Sequence, residues 1–288
     1  MLALRKTIIP GQSRRAVSDR SAEDCLFSAC VHHRKLPNWD DCPVDPCPVT
    51  LILRMRILLI ADIHSNWPAL AAIDEEFDVC LFLGDLVDYA TDPIPCMEWV
   101  QRHATYCVRG NHDHSVAQRV LVRPTGTFRL IAAAMRDHHY KVLSDEQLTW
   151  LARMPVTQHI VVGDHQFLLV HASPRDPMDE YVGESVEQWK QRLDHVDVDF
   201  VCVGHTHVPM HLDVDGTQIV NPGSVGQPRD GDPRAAYAII EDGNVSFHRV
   251  DYDIDQTVEH MRASGIDADI VKQTEQVLRN GRSQSANS

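Results

Sequence analysis

"LLIADIHSNWPAL", residues Leu58 to Leu70, decides how the chain is read. Four apolar residues run straight into Asp62, and His64 follows two positions later. A strand alternates faces with period two, so the two polar side chains are expected to point the same way. A carboxylate and an imidazole at the end of a buried strand are costly unless something cationic sits between them. The stretch therefore predicts a buried strand that ends in two metal ligands.

The same alternation continues outward. "RILLIADI" reads as a strand, "PALAAIDEEF" as a helix, "VCLFLGD" as a strand, "IPCMEWVQRHA" as a helix and "TYCVRGNHD" as a strand. This is a βαβαβ opening with nearly all-apolar parallel strands, whose ligands collect at the carboxyl ends. A helical stretch over 126–154 carries a capping-box pair, Ser144 and Gln147. "TQHIVV" and "QFLLVHAS" form a hairpin at Gly163-Asp164. A helix over Val186 to Leu193 leads to the strand "DFVCVGHTH". The short strands "PMHLDV", "TQIVNP", "AAYAIIE" and "VSFHRV" predict a second sheet containing antiparallel pairs. Two terminal helices, "DQTVEHMRAS" and "DADIVKQTEQVLRN", precede a polar tail, 281–288, expected to fray. The expected class is α/β, with two mixed β-sheets packed as a sandwich flanked by helices.

Composition is that of an ordinary globular chain: 288 residues, 43% hydrophobic and 24% charged. Net charge is −14, and it is unevenly placed: residues 1–54 hold 8 Lys/Arg against 6 Asp/Glu, and the rest hold 19 against 35. So acidic a body disfavours binding to a nucleic-acid backbone or an anionic membrane, though not a local positive site made by metal ions. No apolar run is long enough to span a bilayer, and "MLALRKTIIPGQSRRAV" lacks the continuous apolar core of a secretory signal. A cytoplasmic setting is expected. Cys80, Cys107 and Cys202 sit in apolar runs and read as small buried hydrophobes. Residues 1–54 show no helical or strand period and are expected to be disordered or, with Met55 as an alternative start, a mis-annotated extension. A zinc site of Cys25, Cys30, Cys42 and Cys47 with His32 and His33 is the competing reading, weakened by loose spacings. The body is then 55–250, with helices over 251–280 packing on it.

The opening pattern recurs along the chain. "LFLGDLVD" delivers Asp85 and Asp88, "CVRGNHD" delivers Asn111, His112 and Asp113, "LLVHAS" delivers His171, and "VCVGHTH" delivers His205 and His207. One histidine after a strand is usually a satisfied loop residue, and one Gly-Asp or Gly-Asn is usually a turn. Five such endings in chain order read instead as a site. Asp, His and Asn suit a binuclear centre of borderline-hard divalent ions.

Taken together, D-x-H…G-D-x-x-D…G-N-H-D…H…G-H-T-H resembles the calcineurin-like metallophosphoesterase superfamily. "ADIHSN", "VHASPRDPMDEY" and "NPGSVGQPRDGDPRA" are similar to its compact bacterial and archaeal phosphodiesterase-like branch. The resemblance implies a four-layer αββα fold and two divalent metal ions, manganese, iron, zinc or similar. It implies that Asp62, His64 and His207 hold one ion, that Asn111, His171 and His205 hold the other, and that Asp85 bridges them. His112 would assist the leaving group and Asp88 would orient His112. The reaction implied is in-line attack by a metal-bridging hydroxide on a phosphate ester. The implied partner is a small phosphodiester, phosphomonoester or dinucleoside polyphosphate, with a homo-oligomer left open.

Two alternatives stay in view. Repair nucleases share the superfamily, but they carry added DNA-binding elements. A retromer subunit uses the fold as a non-catalytic scaffold and lacks part of the ligand set, which is complete here. The chain also departs from the Ser/Thr phosphatase pattern: Tyr89-Ala90 follow Asp88 where Arg-Gly is expected, and Asp113 replaces a Glu after Gly-Asn-His. Arg175 or Arg229 could supply the missing guanidinium.

Overall fold

A computed structural model describes residues 55–123 and 126–282. The expectations for 1–54, including the zinc reading, and for the tail beyond Arg282 lie outside the described residues. The opening stretch forms β1 (Arg56–Ile60) and α1 (Trp67–Ala71), followed by β2 (Val79–Phe82), α2 (Pro93–His103), β3 (Tyr106–Cys107) and α3 (Asn111–Ala117). Next come α4 (Thr127–Val142) and α5 (Asp145–Arg153), then the hairpin β4 (Thr157–Val162) and β5 (His165–Val170), and α6 (Val186–Arg192). The rest is β6 (Phe200–Cys202), β7 (Met210–Val214), β8 (Thr217–Asn221), β9 (Ala235–Glu241), β10 (Asn244–Val250), α7 (Ile254–Ala263) and α8 (Ala268–Asn280).

Two five-stranded mixed sheets result, ordered β10-β9-β1-β2-β3 and β4-β5-β6-β8-β7. In the first, β1 lies parallel to β2 and antiparallel to β9. In the second, β5, β6 and β8 run parallel and the outer strands β4 and β7 antiparallel. Period two separates the faces. Leu59, Leu81, Phe167, Leu169, Phe200 and Ala238 meet between the sheets. Leu58, Ile60, Cys80 and Phe82 point the other way and pack under α1, α2 and α5. On the far side, Leu168, Val170 and Val201 pack on Trp189 of α6. These are the layers of an αββα sandwich, and each fully buried Leu or Phe contributes about 2 kcal/mol.

Three local expectations are corrected. "PALAAIDEEF" is helical only to Ala71. Asp74, Glu75 and Glu76 would stack charge at the negative end of the helix dipole. Glu75 instead takes Arg56, 2.5 Å away, and the Tyr237 hydroxyl at 2.7 Å. The strand in "TYCVRGNHD" stops at Cys107, and Asn111 to Asp113 form the first turn of α3. The cause is Asp113, whose carboxylate accepts the Gly110 N–H and favours a helix start. Last, "AAYAIIE" and "VSFHRV" join the first sheet, not the second. β9 is buried along nearly its whole length and covers the free edge of β1.

The long helical stretch divides at Ser144, where the capping box forms as read: Ser144 and Gln147 exchange backbone and side-chain bonds of 2.9 and 3.2 Å. α4 packs on α8 and α7 on α1. The cysteines Cys80 and Cys202 are buried and Cys107 is half-buried, all as free thiols.

Candidate metal centre

All the polar strand ends meet at one edge of the sandwich. The loops after β1 and β2 are laced together: Asp62, His64 and Ser65 donate N–H bonds to the carbonyls of Gly84, Asp85 and Leu86. Alternation along a strand does not set Asp62 and His64 side by side, because β1 ends at Ile60. Left-handed backbone does so instead. Asp62, His64, Asp85, Asp88, His205 and His207 all have φ between 50° and 69°. Such conformations cost non-glycine residues roughly 1–3 kcal/mol each and persist where surrounding bonds fix them.

Two groups of buried ligand atoms form, Asp62 with His64 and His207, and Asp85 with His171 and His205. Within the first, His64 Nε2 lies 3.1 Å from His207 Nε2, and His207 Nε2 lies 3.4 Å from Asp62 Oδ1. The tautomers follow from the backbone. His64 Nδ1 donates to the Val87 carbonyl at 2.8 Å, His207 Nδ1 to Gln227 at 2.6 Å and His171 Nδ1 to Leu83 at 2.8 Å. A carbonyl only accepts, so each Nδ1 carries its proton, and the neutral His64 and His207 rings turn bare Nε2 lone pairs inward. Two lone pairs 3.1 Å apart repel, and a cation between them turns repulsion into coordination.

Asp85 sits between the groups, its Oδ2 3.2 Å from His171 Nε2 and 3.9 Å from His64 Nε2. Its Oδ1 accepts the His112 N–H at 2.9 Å. Asn111 Oδ1, His171 Nε2 and His205 Nε2 are buried with no hydrogen-bond partner. His171 Nε2 is close to Asp85 but misaligned for a bond. Three orphaned buried polar atoms from three segments converge here, which native interiors rarely tolerate without a ligand. The donor set and the orphans fit divalent ions.

Electrostatics agree. Burial pulls the His64 and His205 imidazoles down to about 3 and His207 well below its ordinary value. They are thus neutral and able to coordinate. Burial pushes Asp62 up to about 7. Burial also disfavours the Asp85 carboxylate, yet His171 and His112 hold it well below the ordinary range. Burial works against a charged His171, but the neighbouring Asp85 raises it to about 10, so one imidazolium balances that carboxylate.

Beside it stands a second constellation. His112 Nδ1 donates to Asp88 Oδ2 at 2.6 Å, and Arg136 Nε of α4 reaches the same oxygen at 2.9 Å. Burial works against a charged His112, but Asp85 and the Asp88 bond raise it above its ordinary value. The Tyr89 hydroxyl lies 3.4 Å from His112 Nε2. The nine residues singled out in the sequence are therefore brought together. Arg175 is not: it pairs with the largely buried Glu180. Arg229 does reach the site, its guanidinium 5.8 Å from the Tyr89 ring.

Sequence reasoning missed the supports. Asp113 accepts N–H bonds from Gly110, Asp85, Leu86 and Val87, tying α3 to the loop after β2. Ser224 donates to the Asp62 carbonyl, and Asn221 holds the Gly204 carbonyl at 2.6 Å. Arg136 and His139 were detectable, as two polar residues on the buried stripe Ile131, Ala132, Met135 of α4. Gly110 is a steric requirement, since a Cβ there would lie 2.1 Å from Asp85 Oδ1. Gly110→Ala is expected to displace Asp85, lower metal content and cost about 1–3 kcal/mol through overpacking. Thermal melting with elemental analysis checks it; wild-type values in both would refute the contact.

Comparison with known proteins follows the same line. The profile described as calcineurin-like phosphoesterase superfamily domain matches residues 55–243. An uncharacterized protein of Methanocaldococcus jannaschii is 30% identical over 236 residues, covering 72% of this chain and 92% of that protein. A probable metallophosphoesterase of Mycoplasma pneumoniae is 24% identical, covering 61% and 82%. The crystal structure of a metallophosphoesterase from Sphaerobacter thermophilus superposes with a TM-score of 0.66 at 34% identity, over 79% of this chain and 99% of that one.

Proposed function

The chain belongs to the calcineurin-like phosphoesterase superfamily, and on that premise we propose that it hydrolyses small phosphate esters at a binuclear metal centre. The observation that carries the reading is the facing pair of bare Nε2 atoms, His64 and His207 at 3.1 Å, with three orphaned buried polar atoms beside them. Asp62, His64 and His207 would hold one ion, Asn111, His171 and His205 the other, with Asp85 shared. When bound, such ions supply the charge that activates a water and neutralises phosphate oxygens.

The chain's own groups do the rest. His112, charged and fixed by Asp88, offers an Nε2 proton to the departing oxygen. Burial works against the Asp88 carboxylate, but His112 and then Arg136 hold it below its ordinary range, and Arg136 fixes it in place. Arg229 supplies the guanidinium that the sequence lacks after Asp88. No described helix is long and apolar enough to cross a membrane, and we read the setting as cytoplasmic.

The test is elemental analysis of active protein, then chelation and add-back of Mn, Fe or Zn. Rates on a nitrophenyl phosphodiester, its monoester, diadenosine tetraphosphate and a phosphopeptide define the substrate class. About two ions per chain and metal-dependent turnover are expected; full activity after complete stripping would sink the proposal. The matched family region starts at Met55, so a chain beginning there is expected to fold and retain full turnover. An insoluble or inactive Met55 chain, beside an active full-length one, would place residues 1–54 inside the working unit.

A further inference from the structure

A cavity of about 510 Å³ opens directly onto the centre, sharing Asn111, His112 and His205 with it. That is enough room for a nucleotide-sized ligand. Its far wall is unusual for a chain of net charge −14. Arg123, Arg129 and Arg229 line it, and Asp179 is the one acidic lining residue among those described. Arg136, which also lines the cavity, is committed to Asp88, as Arg192 is to Glu180, Arg249 to Asp230 and Arg279 to Glu275 in other parts of the fold. Arg123, Arg129 and Arg229 have no ion-pair partner among the described residues.

These three have distinct placements. Arg229 bonds Gln227 Oε1 at 2.9 Å and stacks 4.3 Å above the Phe128 ring. It is thereby held close to the metal ligands. Arg123 and Arg129 are exposed. The loop that carries Arg123 is anchored, because Arg136 Nη1 bonds the Val120 carbonyl at 2.9 Å. Phe128 and Tyr181 give the same cavity aromatic surface. A guanidinium fork matches phosphate geometry, and here three without a carboxylate partner line one cavity beside the centre.

We propose that this cavity receives the leaving group of the substrate and selects esters whose leaving group carries a second phosphate, gripped by Arg123 and Arg129. The inference rests on the phosphoesterase reading of the centre. It narrows the substrate class from phosphate esters in general to bisphosphorylated or polyphosphorylated ones. A monoester with a neutral leaving group would leave both arginines without a partner.

The probes are hydrolysis-resistant phosphorothioates of adenosine, one with a single 5′ group and one with 3′ and 5′ groups. Calorimetry on the Mn-loaded full chain gives Kd for each, and turnover of a nitrophenyl phosphodiester is followed in parallel. The doubly charged probe is expected to bind at least about tenfold tighter. That ratio should shrink at high salt, as exposed ion pairing requires, and should collapse towards one in Arg123→Gln/Arg129→Gln. Arg129→Lys keeps the charge and should retain part of the preference, which guards against loss by misfolding. Equal Kd values in the wild type, or a ratio that survives the double substitution, would overturn the proposal. If the nitrophenyl ester is turned over while the two Kd values are equal, only this inference fails. If neither probe binds and no ester is turned over, the phosphoesterase reading fails with it.

Discussion

Replacing His112 by Asn is expected to lower turnover about 10²–10⁴-fold, the usual scale of general acid–base help, while metal content stays at the wild-type level. The side chain bonds Asp88 and approaches Tyr89, and it belongs to neither group of clustered ligand atoms. The loss should be larger for alkoxide leaving groups than for nitrophenolate, which departs without a proton. Asp88→Asn should give a smaller version of the same pattern, because Asp88 orients and charges His112 without reaching the cavity itself. Rates on both leaving groups, with metal stoichiometry, decide the matter. Loss of an ion from His112→Asn, or equal losses on good and poor leaving groups, would show that His112 has been given the wrong role.

Asp85→Ala is expected to abolish activity to the chelated background, a fall of about 10³-fold or more if several kcal/mol of metal assistance are lost. The carboxylate faces both ligand groups: its Oδ2 lies near His171 and His64, and its Oδ1 fixes the His112 backbone. Metal content should drop below one ion per chain. Asn111→Ala is the useful contrast, because it removes one neutral oxygen ligand. It should weaken a single ion, and excess Mn should partly restore the rate. If Asp85→Ala keeps two ions and measurable turnover, the carboxylate is not shared and the two groups are independent.

How much of this was legible in the sequence can be argued from particular residues. The buried strands were, because "ILLI" and "CLFL" are apolar throughout, and so was the gathering of polar strand ends at one edge, because their order along the chain is a pattern in itself. The reason Asp62 and His64 converge was not. Periodicity suggested a shared strand face, but the chain has already left β1 and turned left-handed, a conformation that no residue-type count announces for Asp or His. The placement of β9 was hidden for another reason. An apolar run such as "AAYAIIE" fits either sheet, and only the exposed edge of β1 chooses between them. The supports were hidden as well. Asp113, Ser224 and Asn221 act through backbone groups, and backbone groups carry no sequence label. Arg136 owes its role to its partner Asp88, not to its position on α4.

The position of β1 also has a consequence for how the protein is made. Leu58 pairs with Cys80, synthesised moments later, but also with Ile239, near the other end of the domain. Until β9 emerges from the ribosome, β1 keeps one bare edge lined by the most apolar residues in the chain. Earlier still, before residues 205–207 emerge, a nascent chain carries Asp62, His64, Asp85 and Asn111 without His205 and His207. Neither sheet nor centre can close early. Non-local pairing of this kind slows folding and prolongs exposure of an unpaired strand. Newly made chains are therefore a natural client for chaperones during translation of the last third, and a ribosome stalled before Ala235 should display a protease-sensitive, aggregation-prone intermediate.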